Sequence, residues 1–139
     1  MDHHAALTHP LDGVFRRLAT PACLGDWLPE VACVRAGPVP PGVGDVFSLA
    51  LGRDGDKATA TGELIAYEPP WSVGYRLLSG RRVLVLRVTC TSGCGVTTVH
   101  VHQSEDLSPL VVDLDRLGRV LDIAEAVAPP GTQGSDSDA

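Results

Sequence analysis

The sequence predicts an α+β domain in which a curved, seven-stranded antiparallel sheet packs around a long C-terminal helix. Residues 108–128 have the apolar periodicity of a helix, and the shorter segments before them alternate apolar and polar residues as strands do. Short turns between those segments imply an antiparallel meander, whose apolar face the terminal helix must cover. The 139 residues, 44% of them hydrophobic, suffice for one domain, expected over 1–128 with a disordered polar tail over 129–139.

Composition and charge exclude several functional classes. The net charge is -6, and no basic stripe is present that could replace the counterions of a nucleic acid. The same charge disfavours an anionic membrane surface, and no apolar run is long enough to span a bilayer. The N-terminal residues lack the basic and apolar regions of a signal peptide. We therefore expect a cytoplasmic protein whose four cysteines are reduced.

Two short helices are predicted near the N-terminus, after a first strand over residues 3–8. Over residues 10–18, apolar side chains recur at i, i+3, i+4 and i+7, the spacing of one buried helix face. These side chains are Leu11, Val14, Phe15 and Leu18. Thr20 and Pro21 then begin a helical turn that extends to Asp26, since a capping residue followed by proline is typical of a helix start.

Six further strands are predicted between these helices and the terminal helix. They cover residues 30–36, 45–51, 57–67, 71–78, 82–91 and 96–103. Segments 37–42 and 52–56 are rich in glycine, proline and aspartate, which is typical of loops and turns. Alternation places three sets of residues on one face of their strands: Val31 with Cys33; Phe47 with Leu49 and Leu51; and Val73 with Tyr75 and Leu77.

The terminal helix is predicted from a single apolar stripe. Its members are Leu110, Leu114, Leu117, Leu121, Ala124 and Ala128, widened on one flank by Val111 and Gly118. Ser108 is a suitable N-cap, and Pro109 occupies the first turn, where proline is tolerated. The Pro-Pro-Gly segment at 129–131 would end the helix.

The last hairpin contains two cysteines and two histidines that could be taken for a zinc site. The spacing of Cys90, Cys94, His100 and His102 matches no standard zinc motif. A turn centred on Gly93 and Cys94 would place Cys90 and His100 roughly 10 Å apart along the ladder, too far for shared coordination. We therefore predict no metal and no cofactor.

The same register sorts the hairpin residues into two faces. The apolar face would contain Leu84, Leu86, Val88, Cys90, Val99 and Val101, and the polar face Arg87, Thr89, Thr98, His100 and His102. The apolar face should meet the helix, which leaves the histidines in solvent. The alternative is that the polar face lines a cavity. A one-residue slip at the glycine-rich turn would mix the two sets.

The order of elements resembles the helix-grip fold of the START/Bet v 1-like (SRPBCC) superfamily, in particular its polyketide cyclase/dehydratase branch. The residues that carry the resemblance are His9 to Leu18 with Val14-Phe15 inside the helix, Trp27-Leu28-Pro29-Glu30-Val31 after the second helix, and Gly62 through Glu68-Pro69-Pro70 before the next strand. One departure is Gly93-Cys94-Gly95-Val96, where family members often carry Gly-Gly-Thr. The resemblance implies the fold and a cavity between sheet and helix, but it does not fix a reaction.

The cavity would be lined by aromatic and aliphatic side chains. The predicted ligand-binding residues are Trp27, Phe47, Leu49, Tyr75, Leu86, Val99, Leu117, Gly118 and Leu121. For the three aromatic residues among them, ordinary core packing is the competing explanation. Small residues at Ala60, Gly62, Ala66 and Gly118 should leave room between sheet and helix, which favours a cavity over a solid core.

No catalytic motif is present, so the catalytic residues are unknown. Tyr75, His100 and Glu63 are the candidates for moving a proton. We expect Asp26, Glu30 and Glu63 to face solvent or to cap helices. His3, His4 and His9 should be exposed, and nothing in the sequence pairs them with a partner.

Three functions are compatible with these observations. The resemblance implies most specifically a polyketide cyclase or aromatase-like protein that binds a small hydrophobic molecule, such as a polyketide, and orients it for reaction. The second is a non-catalytic carrier or sensor of a hydrophobic ligand. The third is an interaction module similar to relatives that activate a chaperone ATPase, with a filled cavity and an exposed apolar patch. Whether chemistry occurs, and whether the chain forms a homodimer, is left open.

Overall fold

The computed structural model describes residues 1–35, 41–51, 58–105 and 111–127. The strands are β1 (Asp2–Leu7), β2 (Val31–Arg35), β3 (Val46–Leu51), β4 (Ala58–Glu68), β5 (Ser72–Ser79), β6 (Arg82–Gly93) and β7 (Val96–Gln103). Two α-helices, α1 (Leu11–Ala19) and α2 (Leu114–Val127), and a 3-10 helix (Pro21–Asp26) complete the fold. The predicted loops at 37–42 and 52–56, the cap at Ser108 and Pro109, and the tail at 129–139 lie wholly or largely outside the described residues.

All seven strands form one antiparallel sheet in the order β1-β7-β6-β5-β4-β3-β2. Strands β2 to β7 form the predicted meander, and β1 pairs with β7 at its end. The two edge strands are therefore β1 and β2. The pairing of β2 with β3 shifts in register between Val31 and Cys33, at a β-bulge or similar irregularity, so regular alternation along β2 does not hold there. The side chain of Cys33 lies outside the described part of the chain.

The two N-terminal helices form a corner rather than a bundle. The Val14 N–H donates to Pro10 O at 3.1 Å and opens α1, and the Thr20 N–H donates to Arg16 O at 3.1 Å and closes it. Pro21 then begins the 3-10 helix. Its first turn is closed by a 2.9 Å hydrogen bond that the Cys23 N–H donates to Thr20 O. The buried face of α1 contains Val14, Phe15, Leu18 and Ala19.

The β6–β7 hairpin has a register two residues away from the prediction. Cys90 pairs with Val99, Arg87 pairs with His102, and Gly93 pairs with Val96. Cys94 (φ 55°) and Gly95 (φ 77°) form the turn, both in the left-handed region that a type I′ turn requires. Because the shift is two residues, each side chain keeps its face, and every member of the predicted apolar set is buried, with at most 2% of its surface exposed.

Helix α2 begins later than predicted. Residues 111–113 are not helical, and Asp113 caps the helix by accepting a 3.0 Å hydrogen bond from the Arg116 N–H to its Oδ1. Leu114, Leu117 and Leu121 form the buried stripe as expected. Val111 is wrongly assigned to the stripe, because it is 51% exposed and its neighbour Val112 is buried instead.

A single core lies between the inner face of the sheet and the three helices. Every strand contributes side chains to this core. The helical side contributes the α2 stripe and six further residues: Val14, Phe15 and Leu18 of α1, and Leu24, Trp27 and Leu28 of the corner. We use "inner face" for the side of the sheet that carries Phe47, Tyr75, Leu86 and Val99. Within the described residues, no helix has both the length and the apolar character needed to cross a membrane.

Candidate functional site

Three aromatic side chains meet on the inner face beneath the helices. Tyr75 of β5 is central: its ring centroid lies 5.9 Å from that of Phe47 on β3, edge to face, and 6.3 Å from that of Trp27 at the end of the 3-10 helix. Trp27 and Tyr75 are completely buried and Phe47 is 2% exposed. We call these three residues the aromatic cluster. Such ring arrangements contribute about 0.5–1.5 kcal/mol per pair beyond the buried area.

The hydroxyl of Tyr75 is committed to the backbone. It donates a 2.6 Å hydrogen bond to Leu18 O at the end of α1 and so ties β5 to the helical corner. Burial, followed by the nearby Cys23 and Tyr67, raises the pKa of Tyr75 well above its usual value. The phenol therefore stays protonated, and its oxygen keeps lone pairs that can accept a hydrogen bond.

Aliphatic side chains complete the walls around the aromatic cluster. The predicted ligand-binding residues Leu49, Leu86, Val99, Leu117 and Leu121 belong to the same core, from β3, β6, β7 and α2. Gly118 differs, because it is partly exposed and a Cβ there would lie 3.2 Å from the Leu7 side chain. Gly118 thus marks the contact of α2 with β1.

Gly62 and Ala66 do not leave the room that the sequence suggested. The ring of Phe47 covers Gly62, and a side chain at Gly62 would overlap it. Gly74 faces Ala66, where a Cβ would lie 3.2 Å from Ala66 Cβ. The small residues therefore admit neighbouring side chains. Trp27, Tyr75, Leu86, Val99 and Leu117 have no exposed surface, so no water-sized space adjoins these five residues.

One polar atom in this core lacks a partner. Among the described residues, Trp27 Nε1 is the buried side-chain nitrogen or oxygen without a hydrogen bond. An N–H group left unsatisfied in an apolar interior costs about 1–3 kcal/mol relative to one that has an acceptor. The sequence placed Trp27 in the site but contained no sign that its indole N–H would be unpaired.

Helix α2 is attached to the helical corner through polar contacts. The Asp113 N–H donates to Trp27 O at 2.9 Å, and Arg116 Nε donates to Gly25 O at 3.0 Å. These bonds fix the start of α2 directly beside Trp27. A crevice of about 190 Å³ opens between β1 and this start, lined by His3, His4, Val112, Asp113, Leu114 and Asp115.

His9 anchors the other half of α2, and the expectation that it is exposed and unpartnered is wrong. It is 7% exposed; its Nε2 lies 2.7 Å from Asp122 Oδ1, and its Nδ1 lies 3.5 Å from Glu125 Oε1. Its carbonyl oxygen accepts a 2.7 Å hydrogen bond from Thr97 Oγ1 of β7. His9 thus connects the sheet to α2. A local pattern could not reveal a contact that spans more than a hundred residues.

The proton-transfer candidates His100 and Glu63 lie on the outer face of the sheet, away from the aromatic cluster. His100 stacks on His4 at 4.4 Å and donates to Asp2 Oδ1 at 2.9 Å, while His102 donates to the same oxygen at 2.8 Å. These hydrogen bonds lower the pKa of Asp2 to about 2, and the bond from His102 has the larger effect. Glu63 pairs with Arg76 across strands β4 and β5. Tyr75 alone of the three candidates lies in the core.

The other two carboxylates singled out in the sequence, Asp26 and Glu30, are partnered as well. Asp26 accepts a 3.0 Å hydrogen bond from Arg17 and links the 3-10 helix to α1. Glu30 is 4% exposed, so the expectation of a solvent-facing side chain is wrong. Its Oε1 accepts a 3.1 Å hydrogen bond from the Val111 N–H and holds the segment before α2.

The hairpin cysteines and histidines are closer in register than predicted but point in different directions. His100 pairs with Thr89, next to Cys90, and not three residues away. Cys90 faces inward at 2% exposure, whereas His100 faces outward. Burial raises the pKa of the Cys90 thiol to about 11. Among the described residues, no group of three or more His, Cys, Asp and Glu side chains is arranged to hold a metal ion.

Comparison with known proteins identifies the architecture. Neither a protein-family model nor a curated protein matches the sequence. Among solved structures, protein CV1439 from Chromobacterium violaceum is similar over 93% of this chain and 96% of its own, with 16% identity and a TM-score of 0.65. Ginseng major latex-like protein 151 from Panax ginseng is similar over 93% of this chain and 97% of its own, with 17% identity and a TM-score of 0.60.

A third similar structure is the di-domain ARO/CYC StfQ from the steffimycin biosynthetic pathway. The match covers 90% of this chain and 45% of StfQ, with 12% identity and a TM-score of 0.58. The chain has the START/Bet v 1-like helix-grip fold. In this helix-grip domain, the aromatic cluster lies on the inner face of the sheet and belongs to the same core as the leucine stripe of α2.

Proposed function

We propose that this helix-grip protein binds a small, largely apolar molecule between the inner face of the sheet and α2. The observation that carries the proposal is the aromatic cluster, which is continuous with aliphatic walls from β3, β6, β7 and α2. Aromatic rings and branched aliphatic chains favour a largely apolar guest. The proposal keeps the cytoplasm as the compartment, where the free thiols of Cys23, Cys90 and Cys94 would stay reduced.

Binding would require a displacement of α2, because the lining side chains are closed on one another in this structure. The helix is joined to the corner by Asp113 and Arg116 and to the N-terminal segment by His9, and a crevice lies at its start beside β1. A guest would enter the core that the leucine stripe of α2 shares with the aromatic cluster. Its own apolar surface would then pack against both, and each Å² of apolar surface removed from water would contribute roughly 25 cal/mol.

The finer proposal is a polyketide cyclase or aromatase-like action, for which the similarity to StfQ gives the support. Catalysis would act by orientation, since holding a flexible chain in one reactive conformation can lower a barrier by about 7–11 kcal/mol. Tyr75 would position the chain by accepting a hydrogen bond from an enol or hydroxyl group of it, because the phenol proton is donated to Leu18 O. His100 and Glu63 would take no part, because they lie on the outer face.

The test has a binding arm and a product arm. Purified protein is examined by native mass spectrometry for a copurifying small molecule, and poly-β-ketone intermediates are then incubated with and without it. The proposal expects a bound hydrophobic mass and a changed product distribution. Tyr75→Phe should alter that distribution and His100→Ala should not. A bound ligand with unchanged products would support a carrier or sensor. The absence of both a bound mass and a product change would contradict binding altogether.

An interaction module is the second candidate, favoured by the closed core and by one apolar pair on the outer face. Leu78 and Val83 are cross-strand partners on β5 and β6, and they are 38% and 42% exposed. A groove of about 490 Å³ adjoins them, lined by Ser48, Leu49, Thr59, Ala60, Thr61, Leu78 and Gly80. Polar substitutions at Leu78 and Val83 would abolish the activity of such a module and leave ligand binding in the core unchanged.

A further inference from the structure

The indole N–H of Trp27, a member of the aromatic cluster, is a buried hydrogen-bond donor without an acceptor. Trp27 has no exposed surface, so the N–H cannot be satisfied by solvent. The hydroxyl of Tyr75 could have accepted from it, but the rings lie 6.3 Å apart at the centroids and no hydrogen bond joins them. The Tyr75 proton is directed to Leu18 O instead. The site therefore contains one unused donor.

Resting on the proposed function, we propose that the ligand carries an accepting oxygen, such as a ring ketone, that receives the Trp27 Nε1–H. A hydrocarbon of the same shape would leave the indole N–H unsatisfied and gain only apolar contacts. A ketone would gain the same contacts and one hydrogen bond in a water-free environment. The site would thus select oxygenated aromatic molecules over hydrocarbons. It would not require a donor on the ligand, because indole offers no acceptor.

Fluorene and 9-fluorenone form a matched pair of probes, since they share one flat tricyclic frame and differ at a single position by a carbonyl oxygen. Their affinities are measured by titration followed by proton–nitrogen correlation spectra, in which the indole N–H groups of Trp27 and Trp71 give two signals. Trp71 is 52% exposed and lies on the turn before β5, so its signal is an internal control. Trp71→Phe assigns the signals without changing the core.

The inference expects 9-fluorenone to bind about tenfold more tightly than fluorene. The Trp27 indole proton should move downfield with 9-fluorenone and much less with fluorene, while the Trp71 signal stays in place. Trp27→Phe should remove the preference, and Trp71→Phe should retain it. If Trp27→Phe does not fold, the shift of the Trp27 indole signal in the wild-type spectra still tests whether the indole N–H binds the ligand oxygen.

Three results would overturn the inference. Equal affinities for the two probes, or a wild-type preference without movement of the Trp27 signal, would show that the indole N–H does not recognise the oxygen, and the proposed function would still stand. Failure of both probes to bind would overturn the inference together with the proposed function.

Discussion

Phe47 and Gly62 are direct partners on neighbouring strands, and the phenyl ring of Phe47 lies over the backbone of Gly62. The absence of a side chain at Gly62 allows the ring to reach its edge-to-face contact with Tyr75. The glycine therefore determines the position of the aromatic cluster. A small residue in a strand can serve to admit a large neighbour and does not by itself indicate empty space.

Gly62→Ala should therefore destabilise the fold, by about 1–3 kcal/mol, because the added methyl group overlaps a buried ring. Chemical denaturation measures the change. Gly13→Ala is the matched control, since a Cβ at that position in α1 meets no neighbour within 4 Å. Alanine in a helix should stabilise the control by about 0.5–1 kcal/mol. Equal effects of the two substitutions would contradict this explanation.

Tyr75→Phe should lower the free energy of unfolding by about 1–3 kcal/mol, because Leu18 O would lose its 2.6 Å hydrogen bond from the phenol. Tyr67→Phe serves as the control. Tyr67 is only half-buried, against Phe15, and its substitution should change stability by less than about 0.5 kcal/mol. If Tyr75→Phe unfolds at the same denaturant concentration as wild type, the phenol does not join β5 to α1.

Cys94→Asn should stabilise the β6–β7 hairpin. Cys94 has a φ of 55°, and asparagine tolerates this left-handed conformation better than other side chains do, especially before a glycine. We expect a gain of about 0.5–1 kcal/mol in the free energy of unfolding. Cys94→Ser is the control, because serine lacks the preference of asparagine for this conformation and should leave the free energy of unfolding nearly unchanged. An equal gain in both variants would contradict the explanation and indicate that removal of the thiol is the cause.

Asp2→Asn should weaken the attachment of β1 in a pH-dependent way. The pKa of Asp2 is lowered to about 2 by the hydrogen bonds from His102 and His100, so its carboxylate is favoured in the folded state. The stabilisation is fully present above the unfolded value near 3.8 and is lost as the pH falls towards 2. Urea midpoints of wild type and variant should differ at pH 5 and converge at pH 2. A constant difference across this range would contradict the ion pair.

The fold was predictable from sequence because its signals are local and periodic. A β-strand has a period of two, so a register error of two residues at Cys94 left every side chain of the hairpin on its predicted face. The stripe of Leu114, Leu117 and Leu121 likewise identified the buried side of α2 even though the helix starts at Leu114 and not at residue 108. Neither result needed the exact turn or cap.

The site was predictable only in part, because its decisive features are not local. The sequence identified Trp27, Phe47 and Tyr75 as one inward-facing group. It could not show that Phe47 would occupy the space above Gly62, since that depends on the pairing of β3 with β4. The contact of His9 with Asp122 depends on the docking of α2 across the N-terminal segment. The unpaired indole N–H of Trp27 appears only when all surrounding groups are placed.

The most direct test of binding beneath α2 is a set of isotope-filtered nuclear Overhauser contacts between 9-fluorenone and the methyl groups of the protein. The proposed site predicts contacts from ligand protons to Leu86, Val99 and Leu117, which belong to three different elements and have no exposed surface in this structure. Contacts confined to Leu78 and Val83 on the outer face would contradict it, as would the absence of any contact at ligand saturation.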